Sequence, residues 1–364
     1  MKTSKLSIKT KDKKYSIFVG KNVINSLPKI FKNENIVFNK CLLVTDKKVP
    51  KVMILKIKKK IKCNKLKIKI FNSSEKNKNY ENVNKILNVL FKMNFNRDDC
   101  LVSIGGGITG DVVGFAASIY KRGIKFINFP TTLLSQVDSS IGGKTGVNNK
   151  YGKNLIGSFY QPDLVISETS FLKYLPKREI ICGYGEILKH SLIADEKKFN
   201  FLEKNKKKII SLSDPILTRV IVDSCKIKKN VVERDEKEKN LRKVLNFGHT
   251  FAHAFEASQG YKKKLNHGEA VLLGIKCAVK FSQKNKLLSK ETCARILTHI
   301  DNLNINKNLK NIVKSKNIIK FMKADKKNRS QKINLILLKK IGKPKISLNF
   351  DANKVKNFLY NELN

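Results

Sequence analysis

Leu101-Val102-Ser103-Ile104-Gly105-Gly106-Gly107-Ile108-Thr109-Gly110-Asp111 decides how this chain reads. A short apolar run ends in three glycines, and from Gly110 to Tyr120 the apolar residues recur at helical spacing. Strand, glycine turn and helix, in that order, form the usual seat of a dinucleotide pyrophosphate in a parallel sheet. Glycines let the backbone turn tightly and approach a ligand, and the helix start offers unpaired N–H groups to an anion. The spacing is not GxGxxG, so a tight turn without a ligand is the alternative reading of the same residues.

Outward from this turn, Cys41 to Asp46 predicts a buried strand, Val83 to Met93 an amphipathic helix, and Phe126 to Phe129 and Leu164 to Ile166 two further strands. Strands alternating with helices imply a parallel sheet with crossovers. Beyond about residue 170, helical periodicity dominates at Glu186–Ile193, Ile216–Val232, Leu241–Ala257 and Gly268–Phe281, and Leu335–Leu338 is the one late strand candidate. The fold expected is α/β plus all-α: an α/β domain over residues 1–172 and a mainly helical domain over 173–364.

Residues Pro130 to Asn148 concentrate hydroxyls, glycines and the single lysine Lys144 in a stretch that reads as a long functional loop. Lys144 resembles a phosphate-binding lysine, but the GxxxxGK[ST] pattern is not met, which excludes a Walker-type NTPase.

Five histidines occur, at 190, 249, 253, 267 and 299. His249 and His253 stand four apart on a predicted helix and so share a face. His267 opens the next helix, and Glu186 is a carboxylate on an otherwise apolar one. Imidazoles with a carboxylate suit zinc or a similar divalent ion; a polar seam capped by histidines is the competing reading. His190 and His299 read as bystanders. Arg242, Asn246 and His249, spaced four and three apart, extend a polar, cationic stripe along the same helix face and point to an anionic small molecule.

The 364 residues carry 76 Lys+Arg against 29 Asp+Glu, a formal net charge of +47. Only 8 of the basic residues are arginine and 68 are lysine, spread over the chain but thinning between Gly105 and Ser170. Base readout and phosphate forks favour Arg, so the charge reads as compositional bias rather than a nucleic-acid footprint. Seven dispersed cysteines without a CxxC pair argue against a disulfide framework or a thiolate zinc site. No membrane-length apolar run and no secretory signal are visible, and the cytoplasm is the expected location.

Together, the segments Ser103–Asp111, Tyr120–Val147, Lys153–Ile166, Gly183–Lys189, Lys228–Glu256 and His267–Gly274 resemble the 3-dehydroquinate synthase family of sugar-phosphate cyclases, in the family's order. The resemblance implies a Rossmann-like, NAD-binding N-terminal domain and a helical, metal-binding C-terminal domain, with the active site between them, usually in a homodimer. The implied reaction belongs to the shikimate pathway that leads to chorismate and the aromatic amino acids. It takes 3-deoxy-D-arabino-heptulosonate 7-phosphate (DAHP) through transient oxidation by NAD, phosphate elimination, reduction, ring opening and an intramolecular aldol.

Carried over by motif, Glu186, His249 and His267 match the ligands of one zinc or cobalt ion, and His253 matches a residue near the leaving phosphate. Lys144 and Asn154 match contacts to the substrate phosphate, and Arg122 resembles one reaching over from a partner subunit. Lys228 and Arg242 match carboxylate contacts, while Asp138, Lys189 and Asn246 complete the hydroxyl network. Lys343 resembles a C-terminal lysine that closes the site. For NAD the matching positions are Asp46, Glu75, Lys78, Gly106, Gly107, Asp111, Thr131, Thr132, Lys144 and Lys153. Ser73-Ser74 stands where the family usually has Asp-Gly before the Glu, Gly185 replaces a usual Ala and Asn240 a usual Gly; none of these removes a functional group. The competing readings are another sugar-phosphate cyclase, a metal-dependent alcohol or glycerol dehydrogenase, and a basic nucleic-acid-binding protein.

Overall fold

The computed structural model describes residues 3–259, 265–303, 305, 318–324 and 332–363. They form two compact units, Met1–Ile180 with Ser211–Lys237, and Ile181–Ile210 with Glu238–Asn364.

In the first unit the β-branched runs become the strands β1 (Ser4–Lys9), β2 (Lys14–Gly20), β3 (Lys40–Asp46), β4 (Lys65–Phe71), β5 (Cys100–Gly105), β6 (Lys125–Pro130) and, later, β9 (Leu164–Glu168). The sheet order is β1-β2-β9-β6-β5-β3-β4, and only β1 runs antiparallel to its neighbour. Every residue of β5 is buried, as expected of a central strand covered on both faces. Alternation then decides which side chain faces which layer. Leu43, Val102, Ile104, Ile127 and Phe129 pack with Leu27, Ile30, Met53 and Ile57 of helices α1 (Leu27–Asn33) and α2 (Lys51–Lys60). Leu42, Val44, Leu101 and Phe126 pack instead with Val83, Ile86 and Leu90 of α3 (Tyr80–Lys92) and Val112, Val113 and Ala116 of α4 (Gly107–Ile119). The edge strand β4 places Lys65, Lys67 and Lys69 along the rim, a common protection of an open sheet edge.

The stretch read as one long polar loop contains regular structure. Ser135–Ser139 is a single π-helical turn, and Lys144–Asn149 (β7) pairs antiparallel with Gly152–Phe159 (β8). Two glycines make this hairpin possible: a Cβ on Gly157 would lie 2.1 Å from the Thr145 carbonyl oxygen, and one on Gly146 2.4 Å from that of Ile156.

Helix α5 (Lys177–Ala194) leads into the second unit, followed by α6 (Glu196–Ile210). Helix α7 (Ile216–Arg234) packs on β1 and β2 and belongs to the first unit. The second unit continues with α8 (His249–Ser258), α9 (His267–Lys284), α10 (Lys290–Asp301), α11 (Ile318–Ala324), the hairpin β10 (Lys332–Lys340) and β11 (Lys343–Asp351), and α12 (Ala352–Leu363).

Two expectations are corrected here. The helix predicted over 241–257 is broken: Leu241–Asn246 is a 3-10 turn, and α8 starts only after Gly248, whose φ of 80° is left-handed. The break lets α8 and α9 meet backbone to backbone, since a Cβ on Gly274 would lie 2.2 Å from the Gly248 carbonyl oxygen. Arg242 and Asn246 therefore do not share a helix face with His249 and His253. Leu335–Leu338 is also not the one late strand; β11 pairs with it, its periodicity hidden by Lys343, Lys345 and Asn349.

Candidate active site

In the first unit the predicted nucleotide residues gather at the carboxyl ends of the parallel strands. Asp46 ends β3, Gly105-Gly106-Gly107 links β5 to α4, and Thr131 and Thr132 follow β6. The chain moves outward from β3 to β4 and in the opposite direction from β5 to β6, so β3 and β5 flank the topological switch point where α/β sheets bind ligands. The glycines are there for space. A Cβ on Gly105 would lie 2.5 Å from the Thr109 hydroxyl, and one on Gly107 2.9 Å from that of Ser139. Gly106 caps α4 without any side-chain bond to its first turn.

Beside this turn, the Lys78 ammonium is buried and donates to Asp111 Oδ2 and Asn154 Oδ1, both at 2.5 Å. Burial pushes the Asp111 carboxyl above its usual range, and the Lys78 charge pulls it back. Lys153 Nζ lies 3.6 Å from Glu75 Oε1. On the other side, Lys228 of α7 donates to Asp138 Oδ1 at 2.8 Å and to its carbonyl oxygen at 2.6 Å, holding the π-helical turn. Lys144 opens β7 at the surface. Arg122 is exposed in a turn where Lys121, Arg122 and Gly123 all have positive φ, at 46°, 65° and 131°.

In the second unit, three ligand-type side chains converge. Glu186 of α5 is fully buried; its Oε1 lies 3.4 Å from His249 Nε2 and 3.7 Å from His267 Nε2. One donor atom from each lies within 4.8 Å of the others. The opposite ring nitrogens face acceptors, His249 Nδ1 the Phe247 carbonyl oxygen at 3.3 Å and His267 Nδ1 Glu256 Oε2 at 3.4 Å. With Nε2 turned to a metal, each Nδ1–H has an acceptor waiting, which is the tautomer a metal ligand needs. Burial, reinforced by the Lys189 charge, pushes the His249 pKa down to about 4, so its ring is neutral at pH 7. The donor set therefore fits a divalent ion with three protein ligands and open positions.

Lys189 ion-pairs with Glu186 Oε2 from one turn along α5 and is itself buried. Local structure places the two histidines: Gly248 starts α8 at His249, and a reciprocal capping box between Asn266 and Glu269 starts α9 at His267. His253 is not among the three converging donors; its ring centroid stands 5.4 Å from that of His249 and 6.4 Å from that of His267. Arg242 is buried on the 3-10 turn, and Lys343 is exposed at the start of β11. His299 is buried, with its Nε2 beside the Tyr184 hydroxyl. The cysteines are free, six of them buried. Among the described residues, no helix is long and apolar enough to cross a membrane.

The Asn246 amide Nδ2 donates to Glu238 Oε1 at 2.7 Å, so Glu238 fixes which way that amide faces. Sequence reading missed Glu238 because it lies in the charged run Glu233–Lys239, where one carboxylate looks like the rest. Its left-handed φ of 57° is a structural signal that spacing does not carry.

The chain matches two family models, 3-dehydroquinate synthase N-terminal over residues 68–182 and 3-dehydroquinate synthase C-terminal over residues 183–328. It is 57% identical over 362 residues to the 3-dehydroquinate synthase of Pelagibacter ubique (strain HTCC1062), covering 99% of this chain and 98% of that one. It is 43% identical to that of Campylobacter concisus (strain 13826), covering 93% of each. Among solved structures, it is similar to 2-deoxy-scyllo-inosose synthase complexed with carbaglucose-6-phosphate, NAD+ and Co2+, with a TM-score of 0.86 at 24% identity over 99% of both chains. It is also similar to 2-epi-5-epi-valiolone synthase from Streptomyces hygroscopicus subsp. jinggangensis 5008 with NAD+ and Zn2+ bound, with a TM-score of 0.83 at 23% identity over 95% of this chain and 96% of that one. These likenesses establish the fold of the sugar-phosphate cyclases, and the sequence matches go further: the chain belongs to the 3-dehydroquinate synthase family.

Proposed function

We propose that the chain converts DAHP to 3-dehydroquinate and inorganic phosphate, with catalytic NAD and one zinc or cobalt ion, as a cytoplasmic homodimer. The observation that carries this is the convergence of buried Glu186 and His249 with half-buried His267, in a chain 57% identical to a 3-dehydroquinate synthase. When bound, the ion polarises the oxygens at the carbon being oxidised, and NAD supplies a hydride acceptor that gives the hydride back.

The chain's own residues account for the rest. Glu186, His249 and His267 hold the ion, while Lys189 offsets the buried Glu186 charge. Asp46, Glu75, Lys78, Gly106, Gly107, Asp111, Thr131, Thr132 and Lys153 hold NAD, joined by Lys144. Lys144 and Asn154 also bind the substrate phosphate, with Arg122 reaching over from the partner subunit and His253 beside the leaving group. Arg242 and Lys228 bind the carboxylate, and Asp138, Lys189 and Asn246 orient the hydroxyls. Lys343 closes the site. Cations at both anionic ends fix the ring's position and so lower the entropic part of the barrier. Buried Arg242 favours a substrate with a carboxylate, which separates this reading from cyclases of other sugar phosphates.

The test incubates the purified protein with DAHP, catalytic NAD and zinc or cobalt. The expected result is phosphate release without NADH accumulation, abolished by chelator and by His267→Ala. Net NADH formation would indicate a dehydrogenase instead, and phosphate release insensitive to chelator and to His267→Ala would overturn the metal assignment.

A further inference from the structure

Asn148 is half-buried at the end of β7 and joins two segments that carry different ligand residues. Its backbone N–H donates to the Lys78 carbonyl oxygen at 2.8 Å, and it forms a parallel bridge with Asn79. Its side-chain amide is used at both ends. Nδ2 donates to Glu75 Oε1 at 2.7 Å and to the Glu75 carbonyl oxygen at 3.3 Å. Oδ1 accepts the Asn154 backbone N–H at 2.9 Å.

Each contact helps to hold a residue whose local backbone gives it little support. Glu75 sits in a 3-10 turn of three residues and is half-exposed. Asn154 has φ of 55°, a left-handed conformation that a residue with a Cβ adopts at a cost. Asn154 Oδ1 in turn accepts from Lys78, which also binds Asp111. One amide thus ties Glu75 to Asn154, from which the hydrogen bonds run on through Lys78 to Asp111.

We propose that Asn148 is a positioning residue that couples the nucleotide side of the site to the phosphate side. It aims Glu75 at the nucleotide and holds Asn154 for the substrate phosphate. The inference rests on the function proposed above and adds a residue to it. Asparagine suits the task because a short planar amide donates and accepts at once. Aspartate in its place would keep the acceptor, lose the donor and set a like charge against Glu75.

That asymmetry supplies the test. NAD dissociation constants are measured by calorimetry without substrate, and the KM for DAHP at saturating NAD, for the parent, Asn148→Ala and Asn148→Asp. Loss of a hydrogen bond to a charged group, or of one holding a strained residue, corresponds to roughly a tenfold change. Asn148→Ala is expected to raise both constants about tenfold. Asn148→Asp is expected to weaken NAD at least as much, about tenfold or more, while leaving the KM for DAHP within about threefold of the parent. The proposal is overturned if Asn148→Ala leaves both constants unchanged, or if Asn148→Asp raises the KM for DAHP as far as NAD weakens. Should Asn148→Ala fail to fold, the split in Asn148→Asp decides alone. A parent that neither binds NAD nor releases phosphate overturns the proposed function, and the clamp with it; a parent that does both, with variants that show no split, overturns the clamp only.

Discussion

The Tyr184 hydroxyl lies 2.8 Å from His299 Nε2, with the two rings stacked at 5.9 Å and Phe199 edge-on to the imidazole. A histidine in such surroundings pays heavily to be charged: burial, and next the Lys206 and Arg295 charges, push its pKa down to about 4. In the unfolded chain the same ring titrates near 6.5, so between pH 4 and 6.5 the unfolded state binds the extra proton. Stability is therefore complete above pH 6.5 and falls as pH drops toward 4. At pH 5 the loss from this ring is about 2 kcal/mol. Urea unfolding at pH 7.5 and pH 5 checks it: the parent is expected to lose about 2 kcal/mol more than His299→Gln over that interval. Equal losses would place the acid sensitivity elsewhere.

The contact between His267 Nδ1 and Glu256 Oε2 gives Nδ1 a carboxylate acceptor while Nε2 faces Glu186. A carboxylate in that position makes the ring a better ligand. Glu256→Gln keeps the shape and removes the charge, and zinc affinity is expected to fall by about 10- to 100-fold. Competition with a fluorescent chelator measures this without any turnover. Undiminished affinity would mean that Glu256 serves packing alone.

Helix α5 carries Glu186 and α9 carries His267, and their spacing depends on Gly268. A Cβ there would lie 2.3 Å from both the Cα and the carbonyl oxygen of Cys182. The Gly268 N–H already donates to Cys182 Sγ at 3.1 Å. Backbone cannot yield as a side chain does, so Gly268→Ala must push the helices apart. We expect a loss of about 3 kcal/mol in unfolding free energy together with weaker zinc binding. Cys182→Ala, which leaves the backbone in place, should cost far less in both measurements.

How far the sequence leads can be judged on these same residues. The run from Leu101 to Asp111 is legible because a central strand is apolar on both faces and a ligand-binding turn needs glycine. Glu186 is legible because a lone carboxylate on an apolar helix needs a partner. The straight helix expected over 241–257 fails because periodicity records only which residues are buried. It does not register that Gly248 adopts a left-handed conformation to let α8 and α9 touch. The hairpin β7–β8 is hidden for a related reason: its partners are backbone and glycine, not an alternating apolar face. Glu238 and Asn148 escape notice because their worth lies in what they hold, Asn246 in one case and Glu75 with Asn154 in the other.

Arg242 offers the sharpest test of substrate class. It is one of the largest fully enclosed side chains, set on the 3-10 turn Leu241–Asn246. An arginine presents a planar pair of donors that a lysine cannot reproduce, so at a carboxylate site Arg242→Lys keeps the charge but loses one of two parallel bonds. The expected result is a rise of roughly 10- to 100-fold in the KM for DAHP, with the NAD dissociation constant unchanged. A substrate lacking the carboxylate gives this site nothing to pair with in either protein, so Arg242→Lys should barely alter its weak binding. If the variant instead lost NAD and DAHP affinity together, Arg242 would be shaping the site rather than binding the carboxylate.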